Sequence, residues 1–286
     1  MALRGCGQWP ARLSSALDVT TQMEIERLNT FSDLEAAVFQ LRALLESRKP
    51  HPKVPTARAL FRGQASADWE LETTAERFFP GRELKLSEYN DYLARIHPAA
   101  CSHTGKSWPF ERFPKINETS ISSLPNYELM VYSRHHGLPS PLLDWTSSLY
   151  VASYFAFRDA RTDDDVAIYA YVSAPDGAKS GWVEGPTIVQ LGPYALTHPR
   201  HFNQQAQYTA CVMSEHDRWI YCSHELAFTG GDDTQDLLRK YVLSGFLRRE
   251  VLAHLDEMNI NEFTLFGTED GLMRMLANRE WYFRDV

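Results

Sequence analysis

Arg134-His135-His136-Gly137-Leu138-Pro139-Ser140-Pro141-Leu142-Leu143-Asp144-Trp145-Thr146 sets two imidazoles, a carboxylate and a hydroxyl around turn residues. The Leu142-Leu143 pair, between a Gly/Pro turn and Asp144-Trp145-Thr146, reads as a short buried strand that delivers polar groups at its end. That is where α/β folds keep their sites. Upstream, Tyr127, Met130, Val131 and Arg134 share one face of a helix over 126–134, which Gly137 and Pro139 stop. Downstream, Thr146-Ser147-Ser148 caps a second helix over 149–157, and its Val151-Ala152-Ser153-Tyr154-Phe155-Ala156 pattern is apolar nearly all round. Such a helix is predicted to lie between layers.

Working outward, the chain keeps alternating strands and helices. Met23 to Leu28 alternates like a short strand, and Ser32-Asp33-Leu34-Glu35 reads as a capping box opening a helix that runs to about Glu46, with Leu34, Val38, Leu41 and Leu45 on its buried face. His51-Pro52 through Pro55 ends it. A strand is expected over 57–63, ending in Leu60-Phe61-Arg62-Gly63-Gln64. Val166 to Val172, β-branched and aromatic after the Asp163-Asp164-Asp165 turn, is the clearest strand. Further strands are expected at 187–191, 208–213, 219–222 and 238–243, and an amphipathic helix over 246–258. Phe263 to Phe266 and a helical 271–277 close the fold. The stretch 98–122, rich in Pro, Ser, Thr and His around Trp108-Pro109-Phe110, reads as an insertion outside the core. The expected architecture is one α/β (α+β) domain over 23–286, a single mixed sheet with flanking helices, behind a poorly ordered leader at 1–22.

The bulk composition sets modest limits. A chain of 286 residues with 44% hydrophobic and 12% aromatic residues is ordinary globular material, with no sign of disorder. A formal charge of −8 argues against holding nucleic acid by net charge, while a local basic groove stays open. The four cysteines form no CxxC pair and no zinc-like spacing, so the expected setting is reducing and cytoplasmic. No stretch approaches the roughly 20 apolar residues of a membrane helix, and no membrane partner is expected.

Several residue types invite chemistry, each with a plainer alternative. Arg62, after two large apolar residues, is either a surface arginine lying along the sheet or an anion ligand whose neighbour Gly63 lets a phosphate approach the backbone. His135 is either a hydrogen-bonded core histidine or catalytic, and His136 and Trp145 read as packing. Asp144 is either functional or the cap of the following helix.

Three blocks carry a resemblance. Phe61-Arg62-Gly63-Gln64 with Trp69-Glu70-Leu71, then residues 134–146 with Ala152 and Tyr154-Phe155-Ala156, then Arg200-His201-Phe202-Asn203-Gln204-Gln205-Ala206-Gln207-Tyr208 resemble the FRG domain family over roughly 23–277. The family's architecture resembles ADP-ribosyltransferases, in which one strand brings Arg or His, a strand-to-helix turn brings Ser or Thr, and a third strand brings Glu. By that resemblance Arg62 is the first element, Thr146 and Ser147 the second, and Gln204 occupies the third. NAD is then the implied substrate. Breaking its nicotinamide–ribose bond builds positive charge on the ribose, so a group that orients a ribose hydroxyl or offsets that charge is needed. Arg62, Gly63, Thr146, Ser147 and Arg200 are the implied NAD-binding residues, and Arg62, Asp144, Gln204 and His135 the implied catalytic ones. Gln204 orients a hydroxyl but cannot act as a carboxylate, and equally it could satisfy backbone groups; Arg200 could be a surface charge. The chain departs from the family pattern at Arg134, Pro141, Ala206 and Gly267-Thr268.

Three function classes remain open at this point. The first is an ADP-ribosyltransferase modifying a protein or nucleic acid, as a toxin or anti-phage effector, with room for an antitoxin or other regulator. The second is a non-catalytic nucleotide or ADP-ribose binding domain. The third is a hydrolase using a metal on His135, His136 and Asp144, disfavoured because adjacent histidines rarely converge on one ion.

Overall fold

The run of β-branched and aromatic residues after the acidic turn forms β5 (Asp165–Ser173), buried along all but its two ends. In this computed structural model, which describes residues 23–53, 55–112, 124–179, 185–192, 199–215, 218–228 and 233–284, β5 lies inside a mixed sheet. The expected leader at 1–22 falls outside the described residues, as does 113–122 of the expected insertion. Along one edge β5 pairs antiparallel with β9 (Asp236–Ser244), which in turn holds β1 (Glu24–Arg27) in parallel. Along the other it pairs antiparallel with β2 (Leu60–Gln64). All four residues of β1 are exposed, so the alternation that suggested a half-buried strand does not bury one face.

Beyond β2 the sheet nearly parts. β2 meets β4 (Leu143–Thr146) at one register pair, Phe61 with Thr146, after which the two strands diverge. β4 pairs along its whole length with the start of β7 (Ala206–Glu215), and β6 (Thr187–Leu191) takes the other edge of β7. β8 (Arg218–Tyr221) and the two-residue β3 (Leu84–Lys85) extend the sheet further. Every pairing other than β1 with β9 is antiparallel.

Helices cover the sheet in two places. α1 (Phe31–Ser47), α5 (Leu149–Arg158) and α7 (Arg248–Glu257) bury Leu34, Leu41, Ala156, Phe157 and Leu255 against Phe61, Val166, Ile168 and Ala170. α5 lies between the sheet and α7, as its all-round apolar pattern predicts. α3 (Leu86–Thr104) and α4 (Tyr127–His135) pack on the β7–β8 end through Tyr89, Leu93, Met130 and Val131. A third cluster, including Leu60, Trp145, Tyr169, Tyr171 and Phe228, fills the opposite face of the central strands. No helix among the described residues is long and apolar enough to cross a membrane.

Some local expectations fail for identifiable reasons. The box that starts α1 is Thr30 with Asp33, two residues before the Ser32–Glu35 pair: Thr30 Oγ1 accepts from Asp33 N at 3.1 Å and Asp33 Oδ2 accepts from Thr30 N at 2.9 Å. Residues 98–104 are not an excursion but the last turns of α3, which passes through Pro98. Proline there gives up the hydrogen bond to the carbonyl a turn earlier and crowds that carbonyl, a cost the long helix carries. Trp108 is buried, with its ring 4.6 Å from that of Tyr132, and Phe110 stacks on His97 at 4.8 Å. The polar residues around this aromatic island mask the fact that it closes the α3–α4 core. A short α2 (Thr74–Phe78), capped by Thr73 and Glu76, also lay unread in the sequence.

Candidate active site

Where β2 and β4 separate, a cleft of about 1100 Å³ opens. Ligand sites span roughly 300–1,000 Å³, so this one has room for an extended ligand. Successive side chains of a strand point to opposite faces, and Arg62 therefore shares its face with Gln64, while Phe61 and Gly63 face α5. Arg62 Nη1 reaches across the parting to the Asp144 carbonyl at 2.9 Å and replaces a bridge that the two backbones no longer make. Its Nε is sealed from solvent without a hydrogen-bond partner, and burial pushes the guanidinium pKa down to about 10. The arginine is not lying on the surface. It is a costly cation held at the floor of the cleft.

The glycine beside it has a packing reason that the sequence did not reveal. A Cβ on Gly63 would lie 2.6 Å from Ala156 N and 2.9 Å from Ala152 C, and nearer still to Ala152 O. Glycine at this position lets the α5 backbone close onto β2, and that contact sets the wall of the cleft. Gly63 also lines the cleft, on the side that α5 occupies.

At the far bank, Asp144 is gripped by one edge of a neighbouring guanidinium: Arg134 Nε and Nη2 donate to its two carboxylate oxygens, and Arg134 Nη1 donates to Thr74 Oγ1 at 2.8 Å. Burial works against the charge on each partner. The pairing outweighs it, lowering the Asp144 pKa and raising that of Arg134. Asp144 does not cap the next helix; Ser148 does, its Oγ accepting from Val151 N at 3.3 Å. Thr146 Oγ1 accepts from Ser148 N at 3.1 Å and donates to the Gln204 carbonyl at 2.7 Å. Ser147 is exposed, bonds to the Gln205 side chain at 3.1 Å, and is not among the residues that line the cleft.

The third block arrives through α6 (Pro199–Asn203) and the turn into β7. Gln204 lines the cleft and donates through Nε2 to the Leu265 carbonyl at 3.2 Å, on α8 (Glu262–Phe266). Arg200 lines it too, with its guanidinium 5.4 Å from the centre of the Phe266 ring. His135 Nε2 shares a 2.8 Å hydrogen bond with Tyr208 OH, which lies 3.1 Å from His201 Nδ1. Burial pushes the His135 pKa down to about 4, so the ring is neutral near pH 7. His136 is exposed at the end of α4 with its ring 4.5 Å from that of Tyr132, and does not line the cleft. Trp145 is buried, donating to Thr209 Oγ1 at 2.8 Å. Among the described residues no group of three or more His, Cys, Asp or Glu is placed to hold a metal ion, and the set His135, His136 and Asp144 is not one.

Thus Arg62, Gly63, His135, Asp144, Thr146, Arg200 and Gln204 line a single cleft, and Ser147 does not. The cleft also takes in residues to which sequence reasoning gave no role: Gln64, Trp69, Arg77, Phe155, Asp159, Tyr208 and Phe266. Gln64, Trp69, Phe155 and Tyr208 stand inside the quoted blocks. Arg77 sits on α2, and nothing in the sequence marked it.

Fold and site together define an α/β protein with a deep cleft at a split in a mixed sheet. Residues 57–165 match the family model of the FRG domain. That span contains β2, the Arg62 block and the whole 134–146 block, and stops short of Gln204. No curated protein and no solved structure matches the chain.

Proposed function

We propose that the cleft binds NAD, cleaves its nicotinamide–ribose bond and passes ADP-ribose to a macromolecular acceptor. One observation carries the reading: the three sequence blocks are tied together around one opening, Arg62 to the Asp144 carbonyl at 2.9 Å and Thr146 to the Gln204 carbonyl at 2.7 Å. Arg62, Arg134 and Asp144 leave a net positive floor suited to a pyrophosphate, since a buried guanidinium short of partners gains most from an anion. Phe155 and Phe266 supply aromatic surface for the rings of a dinucleotide. In this reading Gln204 orients a ribose hydroxyl, and neutral His135 takes part in a hydrogen bond without adding charge. A transferase of this kind acts as a toxin or anti-phage effector when its acceptor is essential, and growth arrest on induction, absent with Arg62→Ala, would register that.

A second reading, binding without turnover, has its own support. The negative charge of Asp144 is cancelled by Arg134, and the Thr146 hydroxyl proton is committed to a backbone carbonyl. Neither is free to offset charge on a ribosyl cation. Purified protein and Arg62→Ala, incubated with NAD labelled on the adenylate side together with cell lysate, separate the two readings. Nicotinamide release with labelled macromolecule, both lost in the variant, supports transfer. Saturable NAD binding by calorimetry without nicotinamide release supports the binding domain, and no binding by the unmodified protein removes both.

A further inference from the structure

Between β2 and α2 the chain makes a loop whose backbone is fastened at nearly every step. Ala67 N donates to the Asp165 carbonyl at 2.7 Å, Lys240 Nζ to the Ala67 carbonyl at 2.6 Å and Tyr169 OH to the Trp69 carbonyl at 3.2 Å. Gln64 Nε2 donates to the Glu70 carbonyl at 3.1 Å, and Leu71 N to Glu225 Oε1 at 3.2 Å. From this fixed loop Asp68, Trp69, Glu70 and Glu72 all stay exposed and all line the cleft. Asp159, whose carboxylate lies 3.6 Å from Arg158, adds a fourth acid across from them. Arg77 is the exposed cation on this lining, and it is turned to the Glu72 carbonyl at 3.0 Å. The cleft is therefore bipolar: cationic at the floor and anionic, with an indole 57% exposed, at the lip.

Acidic side chains on a loop are ordinarily just solvated. A second feature sets this loop apart. Gln64 is 5% exposed and lines the same cleft, and its Oε1 has no hydrogen-bond partner. The assignment of that amide is forced, because flipping it would set oxygen against the Glu70 carbonyl oxygen. A buried acceptor left unpaired costs about 1–3 kcal/mol, and it calls for a hydrogen-bond donor, an N–H or an O–H.

We infer that the 64–72 loop is an acceptor subsite for a cationic, N–H-rich side chain, an arginine on a basic protein segment, rather than for nucleic acid. This rests on the NAD reading for its chemistry. A guanidinium offers a planar cation to the Trp69 ring and N–H groups to Gln64 Oε1 and to the lip carboxylates, whereas a phosphate backbone meets like charge there. In transfer, the bond between ribose C1′ and the nicotinamide nitrogen breaks and its electron pair leaves with nicotinamide. A guanidinium nitrogen forms the new bond to C1′, and its displaced proton passes through a lip carboxylate to water.

The test uses two readouts on the full chain. Binding of an arginine-rich peptide, an acidic peptide and a single-stranded RNA is followed by Trp69 fluorescence without NAD, with Trp69→Phe showing which change is local. Label transfer from NAD to the same three is then measured. Expected are binding and labelling of the arginine-rich peptide alone, with affinity falling roughly tenfold or more in the Asp68→Asn/Glu70→Gln/Glu72→Gln variant and again in Gln64→Leu. Circular dichroism confirms that the variants are folded. Binding of the basic peptide without any NAD cleavage would leave the subsite standing and remove the transferase reading. NAD cleavage with RNA labelled, or with peptide binding unchanged in the charge-neutral variant, would overturn the subsite.

Discussion

Gly63→Ala tests whether the glycine of the β2 block is there for the helix or for a ligand. The new methyl would sit 2.6 Å from Ala156 N and 2.9 Å from Ala152 C, both backbone atoms, and within closer reach of Ala152 O. Ordinary carbon contacts need about 3.5 Å or more, so α5 must retreat by an ångström or so from β2. No flexible side chain can absorb the shift. α5 is also packed on its other side, with Ala156, Phe157, Val151 and Leu149 buried in the same cluster as α1 and α7. Overpacking of this kind costs typically 1–3 kcal/mol, and backbone-to-backbone contact puts it at or above the top of that range. At about 2–4 °C per kcal/mol for a chain of this size, the melting temperature should fall by roughly 6–12 °C. Thermal unfolding followed by circular dichroism reads this directly, with Gly137→Ala as a comparison at a glycine whose added Cβ meets nothing within 4 Å. Gly137 has φ of +90°, so its variant carries a conformational cost but no collision. A Gly63→Ala protein that melts within about 2 °C of the parent would refute the packing argument.

Two further outcomes follow from the buried charges. Asp144→Asn leaves the Arg134 guanidinium, 8% exposed, without its anion, whereas the Asp144 side chain is 44% exposed to the cleft. Breaking a fully buried pair costs about 3–5 kcal/mol, and the openness of the cleft on the carboxylate side brings the expected loss to about 2 kcal/mol in urea unfolding, largely recovered in Arg134→Met/Asp144→Leu. An unchanged midpoint would mean that the pair is incidental. His224, fully buried, has its pKa pushed by burial to about 3, and His135 to about 4, against an ordinary value of 6.5. At these two histidines the unfolded chain binds more protons than the folded one between these values, so the stability they contribute is lost as pH falls through 6.5 towards 4. In His224→Gln that acid slope should be shallower, and an identical slope in both proteins would rule out its part.

What the sequence made legible follows from how local each signal is. β5, β6 and α5 were readable because their own side chains announce them: β-branched runs between turns, and an apolar helix opened by Ser148. α3 was not, because Pro98 and the polar residues after it break the pattern while burial of Tyr89, Leu93 and Trp108 depends on α4 and β8, far away in sequence. The site shows the same division. Arg62, Thr146 and Gln204 were named from their blocks, and they do line one cleft. The partnership of Arg134 with Asp144 appears only once α4 is folded back beside β4. The role of Gly63 likewise needs α5 in place, a contact across about 90 residues that no window of sequence contains.

That division bears on what the cleft can do. Residues legible from the motif blocks are also largely the ones that hold the split together: Arg62 spans it, Thr146 fastens β4 to the turn before β7, and Asp144 anchors α4 through Arg134. A block can recur in sequence because it builds the opening, without each of its polar groups touching a ligand. Spare capacity lies on other atoms, one of them on Arg62 itself. Arg62 Nε and Gln64 Oε1 are buried without partners, and Asp68, Glu70 and Glu72 stand in solvent at the lip. Ligand specificity should therefore respond to the lip carboxylates at little cost in stability, whereas changes at Thr146 or Asp144 should lower stability and ligand binding together. If Thr146→Val removed activity and left unfolding untouched, its hydroxyl would be acting on the ligand and not on the frame.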